Sequence, residues 1–534
     1  MMGIKERIFQ PLPDVSLDDL VPPDHFYRRL EHRLDLSFVR ELVRPCYASG
    51  GRPSIDPVVF FKLQLVMFFE GIRSERQLMS VAADRLSLRW YLGYDLRETL
   101  PDHSSLTCIR ERYGLDVFRR FFDAIVELCV KAGLVWGKEL YFDATKVEAN
   151  AALESLAPRF AVEAHLADLF EDDLSKTEDD ATGGPRSRLD SLPTADDEKR
   201  TAANGARSDW ISRGGRQNRS TSGYRRRTAD LRASKTDPDA SPMRRGEGRT
   251  RLGYHAHYVV DGGRSRIILA ALVTPFEVME NQPMLDLLWR SRFRWRLKLH
   301  QATGDATYGT IENVVAIEEA GIRAYLSLPG SGKSASFFSK DDFVYDDERD
   351  AYTCPRGEPL RLEAHDRATR RKRYRAKAEA CDACPLKPKC TTNKLGRIVM
   401  RNFDEEYLDR VRAYRETEPY RKALRKRKVW VEPLFAEAKE WHGMRRFRLR
   451  KLRKVNMEAL IVAAGQNIKR LLGASRRGPR SLPQAAALRL PEPPFYSRCR
   501  ARRCHRYVPR HRRRRSFSTR WNVFGTPYSV FTNC

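Results

Sequence analysis

The sequence predicts an α/β protein, in which a mixed sheet flanked by helices follows an all-helical region and precedes a basic, disordered tail. Three observations predict it. Apolar residues recur at helical three- and four-residue spacing as far as residue 134. Short β-rich runs alternate with helical stretches after residue 138. After Gly473 the composition breaks sharply toward Pro, Arg and Ser.

The helical region, residues 16–134, is carried by PVVFFKLQLVMFFEGI, SERQLMSVAADRLSLRWYLG and GLDVFRRFFDAIVELCVKAG. Ser74 is placed to cap the second of these, and Gly133 sits just past the last. Arg73, Arg76, Arg85, Arg89, Arg110 and Arg112 suit a helix-turn-helix-like DNA-contacting unit, and equally a bundle with a solvated basic face. From residue 138 the order changes. ELYFDA reads as a strand, GYHAHYVVDGG and SRIILAALVTP as two strands joined at a DGG turn, and ENQPMLDLLWRSR as a helix. LHQATGD, TIENVVAIEEAG and IRAYLSL follow as strand, helix and strand, with a last helix at 431–442. The order β, β, β, α, β, α, β is that of a ribonuclease-H-like domain.

Two segments interrupt it. Residues 156–250 are charged and poor in apolar side chains, with room for a helix at AVEAHLADLF; residues 331–396 carry a group of cysteines. The expected division is therefore an N-terminal helical DNA-binding domain, 1–134, a catalytic domain, 135–474, holding both insertions, and a disordered tail, 475–534. Longer connections at surface loops add little closure entropy, so neither insertion need disturb the sheet.

Charge narrows the partner. Lys and Arg total 99 against 70 Asp and Glu, a net charge of +29, which favours a polyanion over a small neutral ligand. The tail contributes 15 Arg against Glu492 alone, or +14, leaving +15 on the body. No run of about 18 apolar residues is present, and the start lacks the apolar core of a signal peptide. A cytoplasmic, nucleoid-associated protein without membrane contact is expected.

Asp143 in YFDAT, Asp305 in TGDATYG and Glu432 in VWVEPLF each stand where an apolar run gives way to small or polar residues. Taken singly, Asp143 and Asp305 read first as turn or capping residues at strand ends. Glu432 precedes Pro433 and so reads as the start of a helix. Brought together, the three suit two Mg²⁺ (or Mn²⁺) ions, which at about 3.5–4 Å apart stabilise both the attacking and the leaving oxygen of a phosphoryl transfer. Lys439, seven residues beyond Glu432, projects from nearly the same helix face and is placed to hold a DNA phosphate. Asp261 also ends a strand, but its DGG context makes it a hairpin turn.

Cys381, Cys384 and Cys390 in CDACPLKPKC, with Cys354 upstream, form a possible tetrahedral Zn²⁺ site; reduced surface thiols are the alternative. His365 is a substitute ligand. Cys46, Cys108 and Cys129 read as core residues.

The segments YFDATKVEANAA, GYHAHYVVD, TGDATYG and RKVWVEPLFAEAKEWHGMRRFRLRKLRKVNMEALIVAAGQNIKRLL resemble, in this order, the DDE transposases of bacterial insertion sequences, in the branch with a cysteine-bearing insert before the catalytic Glu. PLPDVSLDDLVPPDHF, GRPSIDPVVFFKLQLVMFFEGIRSERQL and LPDHSSLTCIRERYG are similar to the N-terminal part of those proteins, so the resemblance spans about residues 8 to 474. It implies that Asp143, Asp305 and Glu432 form the catalytic, metal-binding triad. Related groups share a Tyr, Arg, Glu, Lys signature; here Glu432 and Lys439 fit it, while Arg425 stands for the Tyr and Lys428 for the Arg. The implied activity is binding of the terminal inverted repeats of the element and Mg²⁺-dependent cleavage and transfer of double-stranded DNA into a target, with a homodimer joining two ends. A metal-dependent nuclease without strand transfer and a zinc-containing DNA-binding regulator are the alternatives.

Overall fold

A computed structural model describes residues 15–48, 50, 54–158, 232–245, 249–328, 337–367 and 369–474. The helix expected at AVEAHLADLF and the tail lie outside these residues.

Among the described residues the N-terminal region has seven α-helices: α1 (Leu17–Leu20), α2 (Phe26–Arg33), α3 (Phe38–Val43), α4 (Pro57–Glu70), α5 (Glu75–Asp84), α6 (Leu86–Leu92) and α7 (His103–Lys131). Local chemistry sets their ends. The Asp56 side chain accepts from Val58 N and Pro57 fills the first turn of α4, which closes on Gly71 in the left-handed region. Ser74 caps α5 by accepting from Gln77 N, as its position in the sequence indicated. α4 is apolar on all sides and is buried accordingly; Lys62, its one interior charge, is met by Glu31 at 2.7 Å and the Tyr91 carbonyl at 2.8 Å.

The central sheet begins with β1 (Glu139–Glu148). β5 (Arg249–Asp261) pairs with it antiparallel, and β4 (Ser241–Arg245) and β6 (Ile268–Pro275) share the far edge of β5. On the other side of β1 come β7 (Gln301–Gly304) and β8 (Arg323–Leu326), both parallel. A small hairpin of β2 (Leu156–Pro158) and β3 (Arg232–Ser234) lies apart. Helices α8 (Met284–Arg294) and α9 (Ile311–Glu319) occupy the crossovers that parallel pairing requires. The expected order of core strands and helices is therefore present.

The second insertion and the residues just past it form what periodicity did not reveal: an antiparallel sheet of β9 (Val344–Asp346), β10 (Ala351–Thr353), β11 (Pro359–Asp366), β12 (Arg371–Arg375) and β13 (Ile398–Asn402), the last beyond residue 396, with a short helix α10 (Ala378–Asp382). Where one helix at 431–442 was expected, three end the described residues: α11 (Glu405–Arg415), α12 (Glu418–Trp441) and α13 (Leu452–Ala474).

α13 joins the two regions. It packs on α4 and α7 and on β6, so one apolar core runs continuously from the N-terminal helices into the sheet. Asn467 pairs with both backbone groups of Ile268, and Asn456 with both of Val273, at 2.8–3.0 Å. Eleven helical residues rise about 16.5 Å, the length of about five strand residues, so the two asparagines meet β6 in step. They stand in for a missing neighbouring strand and satisfy an edge that burial would otherwise leave unpaired. Gly465 lets α13 approach α4: a Cβ there would lie 2.5 Å from the Phe68 ring.

Gly465→Val should therefore destabilise the protein by about 1–3 kcal/mol through overpacking. Urea denaturation checks this; an unchanged midpoint would contradict the close approach of α13 and α4.

Candidate active site

β1 is longer than the sequence suggested. Asp143 sits in the middle of it, 9 % exposed, not at its end, because the strand continues to Glu148 against β5. Glu139 to Tyr141 pair in parallel with Gln301 to Thr303; two residues further along each chain stand Asp143 and Asp305. Asp305 follows the last residue of β7, and its carboxylate turns back to accept from Thr307 N at 2.9 Å. Behind it the chain turns sharply. Gly309 passes so close to β8's exit that a Cβ would fall 2.3 Å from the Ser327 carbonyl, and Tyr308 is fully buried under Gly304.

The third carboxylate also lies within an element, not at its start. Glu432 is in the interior of α12, which begins at Glu418. Proline inside a helix removes the bond to the carbonyl four residues back. Here that carbonyl is Val429 O, and the Arg266 guanidinium donates to it at 3.4 Å. The helix thus passes through Pro433, and it is held across the sheet by Tyr420 to the Leu326 carbonyl (3.2 Å), Lys426 to Glu139 (2.6 Å) and Trp430 to the Gly263 carbonyl (3.0 Å). Lys439 reaches β1 itself, donating to Thr145 Oγ1 at 2.5 Å, two residues beyond Asp143 on the same strand face.

Between helix and strand lies Arg427, 9 % exposed, with Nη1 2.9 Å from Asp143 Oδ2 and Nη2 3.8 Å from Glu432 Oε1. Glu432 is the open side of this bridge, its side chain 56 % exposed against 12 % for Asp143. Burial pushes the Asp143 carboxyl up, Arg427 opposes this and Asp305 adds to it, for a result of about 7. Glu280, across the sheet, acts on Asp143 in the same direction. Its own carboxyl, which burial would raise, is held below the ordinary range by His255, 3.2 Å away. Tyr308 feels burial first and then the charges of Asp143, Glu280 and Asp305, all of which hold its phenol protonated.

The acidic residues that flank this group have structural duties. Glu437 is pinned by Lys469 and by Arg470 at 3.1 Å, Glu440 by Arg445, and Asp261 is buried at the turn before β6, accepting from Trp136, Gly137 and Gly263 N–H groups at 2.7–3.0 Å. The turn assignment of Asp261 thus agrees with its environment. Arg425 and Lys428 lie exposed on α12, Arg425 paired with Glu418 at 2.5 Å. Arg427, Glu280 and Tyr308 were not distinguished in the sequence. Arg427 is one of six basic residues between Arg421 and Lys428, and only its burial separates it from its neighbours.

Among the described residues no group of three or more His, Cys, Asp or Glu side chains is arranged to hold an ion. The chemistry of Asp143, Asp305 and Glu432 nonetheless suits Mg²⁺ or Mn²⁺, hard cations with oxygen ligands. Asp143 is a carboxylate that burial disfavours as an anion, the condition a bound cation relieves. In the insertion sheet, Cys354, Cys381 and Cys390 pack on one small core with Phe343, Tyr352 and Tyr374. Burial raises the Cys390 thiol, and Cys381, Cys354 and Cys384 act in the same direction.

Of the six arginines that suit a DNA-contacting unit or a solvated basic face of the helical region, five make contacts within the protein, and Arg76 is exposed. Arg73 donates to the Gly443 and Arg446 carbonyls, Arg85 to Glu70, Arg89 to the Asp95 and Glu98 carbonyls, and Arg110 to Glu75, while Arg112 lies over the Tyr47 ring. Glu75 also meets Arg448 at 3.0 Å, tying α5 and α7 to the segment before α13.

Two family models match the chain. One, described as Transposase domain (DUF772), covers residues 15–112, the greater part of the helical region. The other, described as Transposase DDE domain, covers residues 353–472, including Glu432, Arg427 and Lys439. No curated protein and no solved structure matches the chain.

The histidines of β5 give a pH test of the sheet. Burial holds His257 neutral, moving its pKa down to about 3, and its Nδ1 has no partner. The unfolded chain takes up a proton near pH 6.5 and the folded chain does not, so this stabilisation is complete above pH 6.5 and is lost as pH falls toward 3. His257→Asn should remove up to about 1.4 kcal/mol per pH unit of that acid sensitivity. The check is the pH dependence of the denaturation midpoint; identical slopes in both proteins would contradict a buried neutral His257.

Proposed function

We propose that this chain, a DDE transposase of an insertion sequence by the two family matches, binds the terminal inverted repeats of its element and performs Mg²⁺-dependent strand cleavage and strand transfer. Asp143, Asp305 and Glu432 are the catalytic carboxylates of this reading. It is supported above all by the register of β1 and β7, whose paired residues Tyr141 and Thr303 precede Asp143 and Asp305 by two positions each, while α12 carries Glu432, Arg427 and Lys439 over β1. The strand order β6, β5, β1, β7, β8, antiparallel then parallel, supports a ribonuclease-H-like sheet.

Held by these three carboxylates, divalent ions would supply an activated water and stabilise the charge on the leaving oxygen. The chain's own groups position the DNA. Lys439, fixed on Thr145, presents a cation beside the carboxylates for a backbone phosphate, and exposed Lys428 and Arg425 extend that charge along α12. In cleavage a bond forms from water oxygen to phosphorus as the bond to the 3′ oxygen breaks, leaving a 3′-hydroxyl. In transfer that hydroxyl attacks a target phosphodiester and releases a second 3′ oxygen, which takes up a proton. Each step exchanges one phosphorus–oxygen bond for another, so no nucleotide cofactor is needed. Joining two ends to one target calls for a homodimer. No helix among the described residues is long and apolar enough to cross a membrane.

Asp143→Asn should reduce Mg²⁺-dependent cleavage of DNA carrying an element end by at least about 100-fold while leaving binding of that DNA intact. Cleavage at the wild-type rate would contradict the assignment. Strand joining of a pre-cleaved end distinguishes a transposase from a nuclease that only hydrolyses.

For Cys354, Cys381, Cys384 and Cys390 we propose a structural Zn²⁺, supported by the small apolar core on which three of them pack. Metal analysis of the purified protein should find about one Zn²⁺ per chain, lost in the Cys381→Ser, Cys384→Ser double variant. A zinc-free protein of full thermal stability would exclude it.

A further inference from the structure

We propose that Arg427 is a resident countercharge, occupying the carboxylates until a divalent ion displaces its guanidinium toward an incoming DNA phosphate. This rests on the reading of Asp143 and Glu432 as metal ligands. Three observations support it. Arg427 is buried at 9 % exposure, deeper than any other basic residue of the run from Arg421 to Lys428. One of its nitrogens lies 2.9 Å from Asp143 Oδ2 and another 3.8 Å from Glu432 Oε1, so it bridges two of the three carboxylates assigned to the ions. The signature positions before Glu432 fall on Arg425 and Lys428, so Arg427 lies outside them.

A guanidinium carries only donors and cannot share a cation's ligand shell. Within hydrogen-bond distance of Asp143 it competes with a metal for the same oxygen and repels it. Before DNA arrives this arrangement is useful, because it neutralises part of a carboxylate group that would otherwise repel itself. Once a cation supplies that charge, Arg427 is left beside the metals without an acceptor. Its planar fork matches two oxygens of a phosphate, and the exposed side of the bridge, at Glu432, opens toward the face that carries Lys439. Metal loading and DNA engagement are then linked through one side chain, and by reciprocity each strengthens the other.

The test is Mn²⁺ binding to the full chain, followed by electron paramagnetic resonance and by thermal melting. Arg427→Gln should bind Mn²⁺ at least about tenfold more tightly than the wild type. Without metal it should melt lower than the wild type, and Mn²⁺ should restore the loss. A DNA end should raise the Mn²⁺ affinity of the wild type, which gives the guanidinium somewhere to go, and this gain should disappear in Arg427→Gln. Equal or weaker Mn²⁺ binding by a folded Arg427→Gln overturns the proposal. If that variant does not fold, the wild type decides, since absence of any DNA-linked gain in affinity also overturns it. Asp143→Asn separates the two levels of the argument: Mn²⁺ binding that survives this change removes the site reading itself, whereas its loss leaves the carboxylates in place and puts the question to Arg427 alone.

Discussion

A carboxylate placed in the middle of a strand and removed from water must meet a positive charge or give up its own, and the region around Asp143 is organised by that demand. The countercharge, Arg427, comes from a helix that has to lie across the sheet at β1. α12 is held there by contacts at β8, at the start of β1, at the turn before β6 and at Thr145, spread from Tyr420 to Lys439. α13 lies behind it, and Glu437 of α12 is fixed by Lys469 and Arg470 of α13. Through α13 the constraint passes to the N-terminal helices and, by way of Asn456 and Asn467, to β6. The site therefore draws on both halves of the chain, and the helical region contributes to its support as part of one core.

The basic character of the protein takes on a different meaning in this light. The arginines of the helical region suit DNA contact and a solvated basic face equally; in the structure Arg73 and Arg89 donate to carbonyls, and Arg85 and Arg110 pair with Glu70 and Glu75. Arg110, buried against Glu75, is unavailable to a phosphate, whereas Arg73 and Arg85 stay exposed beside their partners. Lys428 and Arg425 are exposed as well, on the helix that carries Glu432 and Lys439, with Arg425 paired to Glu418.

Much of the fold was legible because its period was. β1, β5, β6, α8, β7, α9 and β8 occur in the expected order, and the capping roles of Ser74 and Gly133 belong to local rules that operate within a few residues. The misreadings have tertiary causes. Asp143 looked like a strand end because Ala144, Thr145 and Lys146 are not strongly apolar, but β5 supplies partners as far as Glu148. Glu432 looked like a helix start because of Pro433; the Arg266 guanidinium, 163 residues before Val429, takes the Val429 carbonyl that the proline releases. The insertion sheet went unseen since its strands are three to eight residues long and rich in arginine. Arg427 carried no signal at all. A run of basic residues on a helix gives no indication of which one faces a buried acid.

The most direct measurement is anomalous diffraction from crystals of the protein grown with a DNA end and Mn²⁺. The account predicts manganese between the Asp143 and Asp305 carboxylates, with Glu432 turned toward it and Arg427 moved off Asp143 onto a phosphate. Manganese bound elsewhere, with the Arg427 to Asp143 contact intact and DNA in place, would contradict it.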